Sequence, residues 1–208
     1  MKIVKSSHNK TEEVERIFHI FDKVLYDIHH KLLFDKLVFV IGEKNKAELK
    51  NFTAYIEIDR NNEHLMKNPR FCRSFILNMI YKIIIQQKGF STKHRHLEQL
   101  VANREMIKHG YHDDVFYYNY MTVMNKPCFE DIHDFIYSNI SWLSFYDTKY
   151  SNESEFFRKI VEQMPCPDHY KRKTERVFNR MKRDLWNDKS LERVEKCLER
   201  LANADNKV

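Results

Sequence analysis

Phe52-Thr53-Ala54-Tyr55-Ile56-Glu57-Ile58-Asp59 alternates strictly, and shortly after it Asn68-Pro69 opens a run that is apolar on almost every side as far as Ile85. In the first segment Phe52, Ala54, Ile56 and Ile58 face one way, and Thr53, Tyr55, Glu57 and Asp59 the other. Period two with one polar face predicts a half-exposed strand. In the second, Cys72, Phe75, Ile76, Met79, Ile80 and Ile83 form a helical stripe, while Leu77, Ile84 and Ile85 add apolar positions elsewhere. A helix apolar all round belongs at the centre of a fold. Pro69 suits its first turn and Gly89 ends it.

Upstream, Leu37 to Ile41 is continuously apolar and reads as a short buried strand over 36–41, able to pair with 52–59. Gly42 to Glu48 reads as a polar connection. Val14, Ile17, Phe18, Phe21, Val24, Leu25, Ile28 and Leu32 recur at three and four, which predicts an amphipathic helix capped by Thr11. Downstream, helices are expected at about 94–109 (stopped by Gly110), 115–124 (capped by Asp113 or Asp114) and 129–145, with a short one opening at Asn152. Pro165-Cys166-Pro167 is the clearest break, with two more helices beyond it, at about 170–186 and 190–202. The pattern predicts an α+β, mostly helical fold, with a small two- or three-stranded sheet packed against a helical bundle. Residues 1–164 are expected to form the core domain and 165–208 a basic helical appendage packed on it.

Composition excludes several classes. The chain has 208 residues with 3 Gly, and Gly42, Gly89 and Gly110 are not clustered, so no phosphate loop or dinucleotide fingerprint is present. The 4 cysteines, Cys72, Cys128, Cys166 and Cys197, lack the spacing of a zinc knuckle or redox motif. Cys72 and Cys197 fall on apolar faces and read as buried inert thiols, whereas Cys166 is expected in a loop. Residues 1–10 carry no apolar stretch, and Phe75 to Ile85 is far short of the ~20 residues a span requires. A cytoplasmic protein without a membrane partner is expected.

Catalytic signals are weak. No Gly-x-Ser-x-Gly elbow occurs. Glu130 and His133 stand one turn apart, as in carboxylate-bridged di-iron bundles, and Glu105 and His109 share a face at i, i+4, but the full ligand set such bundles need is missing. A metal, were one bound, would draw on Glu98, Glu105, His109, Glu130 and His133. His109, His112, Asp113 and Asp114 read better as a helix-capping turn. No catalytic residue and no cofactor are assigned.

The basic segment is the most explicit signal. From Lys171 to Arg183 seven cations accompany one acid, Glu175, and Arg172, Arg176, Arg180 and Arg183 fall on one helical stripe with Val177, Phe178, Met181 and Leu185 on another. Such a helix can pack its apolar stripe and offer Arg172, Lys173, Arg176, Arg180 and Arg183 to phosphates. The plainer reading is a solvated face, with Glu192, Glu195 and Glu199 of the next helix neutralising part of it. Tyr117, Tyr118 and Tyr120 are candidates for stacking on bases, though tyrosines on an apolar helix more often belong to a core.

The order strand (52–59), hydrophobic helix (71–85) and a helix reading Leu97-Glu98-Gln99-Leu100-Val101-Ala102-Asn103-Arg104-Glu105 resembles the core of zincin-type metallopeptidases over about a third of the chain. The resemblance implies an edge strand lining a cleft, a helix bearing His-Glu-x-x-His and a later helix supplying a carboxylate. Here Asn78-Met79-Ile80-Tyr81-Lys82 stands where the zinc motif would be, Glu98 or Gln99 at the carboxylate position, and Asn103 in place of an Asp. Asn78, Met79 and Lys82 supply neither imidazole nor general base, so the kinship implies a pseudoenzyme. The leading expectation is a non-catalytic binding or interaction protein, which the resemblance makes a degenerate zincin, with a cleft for peptide beside the 52–59 strand. The alternatives are nucleic-acid association through the arginine stripe and, last, a di-metal enzyme.

Overall fold

The computed structural model describes residues 1–7, 10–126, 128–129 and 131–205, with side chains as far as Leu201. Among them are four strands, β1 (Lys2–Ser7), β2 (Lys36–Gly42), β3 (Lys46–Lys50) and β4 (Thr53–Asp59), and nine α-helices. The helices are α1 (Glu12–Ile28), α2 (Glu63–Lys67), α3 (Pro69–Gln87), α4 (Arg95–Lys108), α5 (His112–Met124), α6 (Ile132–Phe145), α7 (Ser151–Gln163), α8 (Asp168–Met181) and α9 (Asp188–Asp205). The mostly helical α+β expectation therefore holds. The chain divides into two compact units, residues 1–91 with 105–118, and 92–104 with 119–208. The expected boundary at 164/165 falls inside the second.

The first unit holds the sheet, ordered β1-β2-β4-β3, with β1, β2 and β4 parallel and β3 antiparallel to β4. Leu37, Phe39 and Ile41 of β2 stand beside Ala54, Ile56 and Ile58 of β4, and all six are buried. Phe21 of α1 stacks on Phe39 at 4.1 Å. Thr11 caps α1 by accepting from the Val14 N–H. Asn68 caps α3 by accepting from the Phe71 N–H, and residues 74–81 of α3 are buried on every side. Burial pushes the Cys72 thiol up to about 12, in keeping with an inert core residue.

Two expectations about the sheet are corrected. It has four strands, because β1 and β3, which lack an apolar run, pair through the main chain. Phe52 does not face inward with Ala54 and is 70% exposed. It shares a two-residue hairpin turn with Asn51, both at positive φ (47° and 56°), as a turn matching the twist of β3 and β4 requires. β4 is consequently an interior strand flanked by β2 and β3, which excludes peptide addition along 52–59. The exposed edge of β3 is blunted as well. The Gln86 side chain accepts from the Leu49 N–H at 2.8 Å and donates to the Ala47 carbonyl.

On the polar face of the sheet, the buried Glu57 carboxylate accepts from the Glu43 N–H and the Tyr55 hydroxyl, each at 3.1 Å. A Cβ at Gly42 would run into Glu57 Oε1. Gly42→Ala is expected to displace that carboxylate and cost about 1–3 kcal/mol by overpacking, read as a lower urea midpoint at unchanged m-value. An unchanged midpoint would show that Glu57 moves aside freely.

In the second unit, Asp131 caps α6 by accepting from the Asp134 N–H. Val123, Phe129, Phe135 and Val161 form a core cluster against which Met164, Cys166, Tyr170 and Phe178 pack. The apolar contacts thus continue across Pro165-Cys166-Pro167, and α8 belongs with α6 and α7. Cys166 is accordingly half-buried. α7 begins at Ser151, and neither Asn152 nor any other side chain caps it. No described helix is long and apolar enough to cross a membrane.

Candidate nucleic-acid interface

α8 is amphipathic in the way its sequence dictates. Thr174, Val177 and Met181 are buried on one stripe, while Arg172 and Arg176 are exposed. α9 presents Val194, Cys197 and Leu198 inward. Between the two helices runs a groove of about 580 Å³ lined by Arg172, Lys173, Arg176, Arg180, Arg183 and Arg200. The one acid on its walls is Glu175. All five cations expected from the sequence are brought together, and α9 adds Arg200, which lies outside the basic segment.

The expected neutralisation by α9 is not what the structure holds. Glu192 pairs with Lys196 on its own helix at 2.5 Å, Glu195 accepts from the Thr92 hydroxyl at 2.7 Å, and Glu199 pairs with Lys93. Among the described residues Arg172, Arg176, Arg183 and Arg200 enter no ion pair. Arg180 plays a different part. Its guanidinium donates to the Arg193 carbonyl at 2.8 Å and to Cys197 Sγ at 3.1 Å, fastening α8 to α9. The groove therefore keeps a concentrated positive potential, held on two rigid helices.

Arg104 positions this helix pair. Its guanidinium donates to the carbonyls of Met181 (3.0 Å), Arg183 (3.2 Å) and Leu143 (3.2 Å), at the C-terminal ends of α8 and α6. Burial pushes it down to about 10, with Asp184 and Asp147 acting in the opposite sense. Nothing in the local sequence marks Arg104, because its partners lie far along the chain.

Tyr117 and Tyr118 of α5 are engaged elsewhere. Tyr118 is buried and stacks on Phe71 at 6.0 Å. Tyr117 accepts from the Asn68 amide and lies 4.3 Å from the Arg70 guanidinium.

The residues named as ligands, were a metal bound, fall in both units: Glu105 and His109 in the first, Glu98 and His133 in the second. Glu130 lies outside the described residues. Both Glu105 oxygens are taken, one by Lys88 at 2.7 Å and one by Lys108 at 2.8 Å. Burial pushes this carboxyl up, but the two ammonium groups outweigh it and hold it below the ordinary value. Among the described residues no group of three or more His, Cys, Asp or Glu is arranged to hold a metal ion.

At the zincin-like positions, Asn78 is buried and donates to Met106 Sδ at 3.8 Å, Met79 is buried, and Lys82 is half-buried. Gln99 and Asn103 join an uncharged buried network. Gln99 donates to Asn103, and Asn103 donates to Ser144 at 2.9 Å and to Asn119.

His133 stacks on His96, with ring centroids 5.7 Å apart. His96 is pushed down to about 4, first by burial, then by His133 and His94, with Asp131 opposing. His94 is lowered mainly by burial, with Glu195 and Glu199 opposing and Lys93 assisting. The sign follows: above pH ~6.5 His96 is neutral in both folded and unfolded chains. As pH falls from ~6.5 toward 4, the unfolded chain takes up a proton that the buried ring refuses, and stability drops. The loss at pH 4 is expected to be about 3 kcal/mol. His96→Gln should flatten denaturation midpoints between pH 6.5 and 4, and an equally steep profile in the variant would acquit His96.

No family model matches the chain, and no curated protein and no solved structure matches it.

Proposed function

We propose that this protein is a non-catalytic binding protein whose α8–α9 groove takes the phosphate backbone of nucleic acid. The observation that carries the reading is the groove itself: six cations line it with a single carboxylate, while Glu192, Glu195 and Glu199 of α9 are engaged with other partners. Cations that neutralise phosphates release condensed counterions, so affinity arises without base-specific contacts and falls steeply with salt. The test is a titration of a labelled oligonucleotide. Micromolar binding at ~50 mM salt that weakens at least tenfold by ~200 mM supports the reading. Absent or salt-insensitive binding removes it.

A second reading, a zincin-like core without its metal chemistry, is supported by the order of sheet, buried α3 and α4, and by the residues at the motif. Asn78, Met79 and Lys82 offer no zinc donors, and Glu105 is held by two lysines. The interior position of β4 departs from that family's edge strand. This reading is compatible with the first, because none of Asn78, Met79, Lys82 and Glu105 lines the groove. It predicts that zinc leaves the thermal midpoint of tag-free protein unchanged.

A further inference from the structure

α8 separates two concavities. One is the basic groove. The other, bounded by α6, α7 and α8, is a cavity of about 800 Å³ with an aromatic floor of Phe135, Trp142, Tyr146 and Phe178. This volume is in the range of sites that enclose a small heteroaromatic molecule. Trp142 meets Tyr146 at 6.2 Å and Phe178 at 6.3 Å, both edge-on, so the rings form a corner rather than a filled stack. Lys182 Nζ lies 5.1 Å from the Tyr146 ring and 5.6 Å from Trp142.

The charges of the two concavities differ in kind. In the cavity Arg158, Lys171 and Lys182 face Asp147, Glu155, Glu162 and Glu175, and Arg158 is already paired with Glu155 and Glu162. Such a site does not concentrate phosphate. It suits a planar, uncharged group with polar edges. The groove across the helix is the opposite, cationic and without an aromatic floor. Glu175 and Asn179 line both, so the two sites share the ridge of α8.

Resting on the phosphate-binding reading above, we propose that the α6–α7–α8 cavity receives an unstacked nucleobase from the strand whose phosphates lie in the groove, which makes single-stranded nucleic acid the ligand. A base stacks on Tyr146, the exposed ring of the corner, beside the buried Trp142, and stacking of this kind tolerates any base. A base inside a duplex cannot reach the cavity without being unpaired and unstacked, so duplex engages the groove alone.

The experiment uses the full chain carrying Trp186→Phe, which leaves Trp142 as the sole tryptophan of the 2 in the sequence. A single-stranded oligonucleotide, its duplex, an abasic strand of equal length and a free mononucleotide are titrated at two salt concentrations. Anisotropy and tryptophan emission are both followed. The single strand is expected to bind about tenfold tighter than duplex or abasic strand and to quench Trp142, with neither of those doing so. Tyr146→Ala should bring single strand and duplex within about twofold while leaving duplex affinity and its salt dependence intact. Equal, salt-sensitive affinity for all three strands without quenching would overturn the base cavity and leave the groove standing. Quenching by mononucleotide without salt-sensitive strand binding would overturn the groove and, with it, this proposal, leaving a free-nucleotide pocket. No binding of any probe would overturn both.

Discussion

Arg104→Ala is expected to lower stability by about 3–5 kcal/mol, the largest loss from any single substitution considered. The reason is the number of groups left without a partner. The guanidinium satisfies three carbonyls at the ends of α6 and α8; its removal leaves the partly buried carbonyls of Leu143 and Met181 without a partner, each at about 1–3 kcal/mol, while the exposed Arg183 carbonyl turns to water. No carboxylate pairs with Arg104 at ion-pair distance among the described residues, so no charge is orphaned in return. The positive charge also suits the negative end of α8. Arg104→Lys should recover little, because an ammonium cannot span three carbonyls as a planar fork does. For a chain of this size the thermal midpoint should fall by about 10 °C. A drop of no more than a few degrees would show that water replaces the guanidinium. Because Arg104 fixes the end of α8, the alanine variant should also bind oligonucleotide more weakly.

The second large effect is on binding. Arg172→Glu combined with Arg176→Glu is expected to weaken oligonucleotide affinity about 100-fold or more at ~50 mM salt. Each reversal removes one phosphate contact and adds a repulsive carboxylate beside the next. Both side chains are exposed, and neither takes part in an ion pair, so folding should survive, as an unchanged urea midpoint would verify. Arg180 is a poorer probe. Its bonds to the Arg193 carbonyl and Cys197 Sγ hold α8 and α9 together, so its loss would confuse binding with packing. Full affinity in the double variant would mean that phosphates do not lie in this groove.

The parts of the fold that were legible are those where burial writes a pattern. β2 and β4 show it because Leu37, Phe39 and Ile41 meet Ala54, Ile56 and Ile58 on one buried face. α3 shows it through apolar residues on every side. β1 and β3 do not. Lys2, Lys5, Lys46, Glu48 and Lys50 keep the sheet edges charged, and an edge strand is held by main-chain bonds that leave no trace in side-chain periodicity. The Asn51 turn was the available signal for β3, hidden because a Phe rather than a Gly follows it in the left-handed region.

The groove was legible on one wall only. The spacing of Arg172, Arg176, Arg180 and Arg183 declares a stripe, but not what faces it. The Glu192–Lys196 pair can be read at i, i+4, whereas the engagement of Glu195 and Glu199 depends on Thr92 and Lys93, about a hundred residues away. Arg200 and Arg104 were invisible for the same reason. The aromatic cavity draws Trp142 and Tyr146 from the end of α6 and Phe178 from α8, and nothing in either stretch shows that the two helices meet.

The most direct test of the account is the slope of log affinity against log salt for one oligonucleotide, measured for the wild type and for the Arg172→Glu/Arg176→Glu variant. With Arg172, Arg176, Arg183 and Arg200 of the groove outside any ion pair, the wild-type slope should be roughly −3 to −4, and the variant should be shallower by about two. Equal slopes in the two proteins, or a wild-type slope near zero, would contradict the assignment of the α8–α9 groove to phosphate.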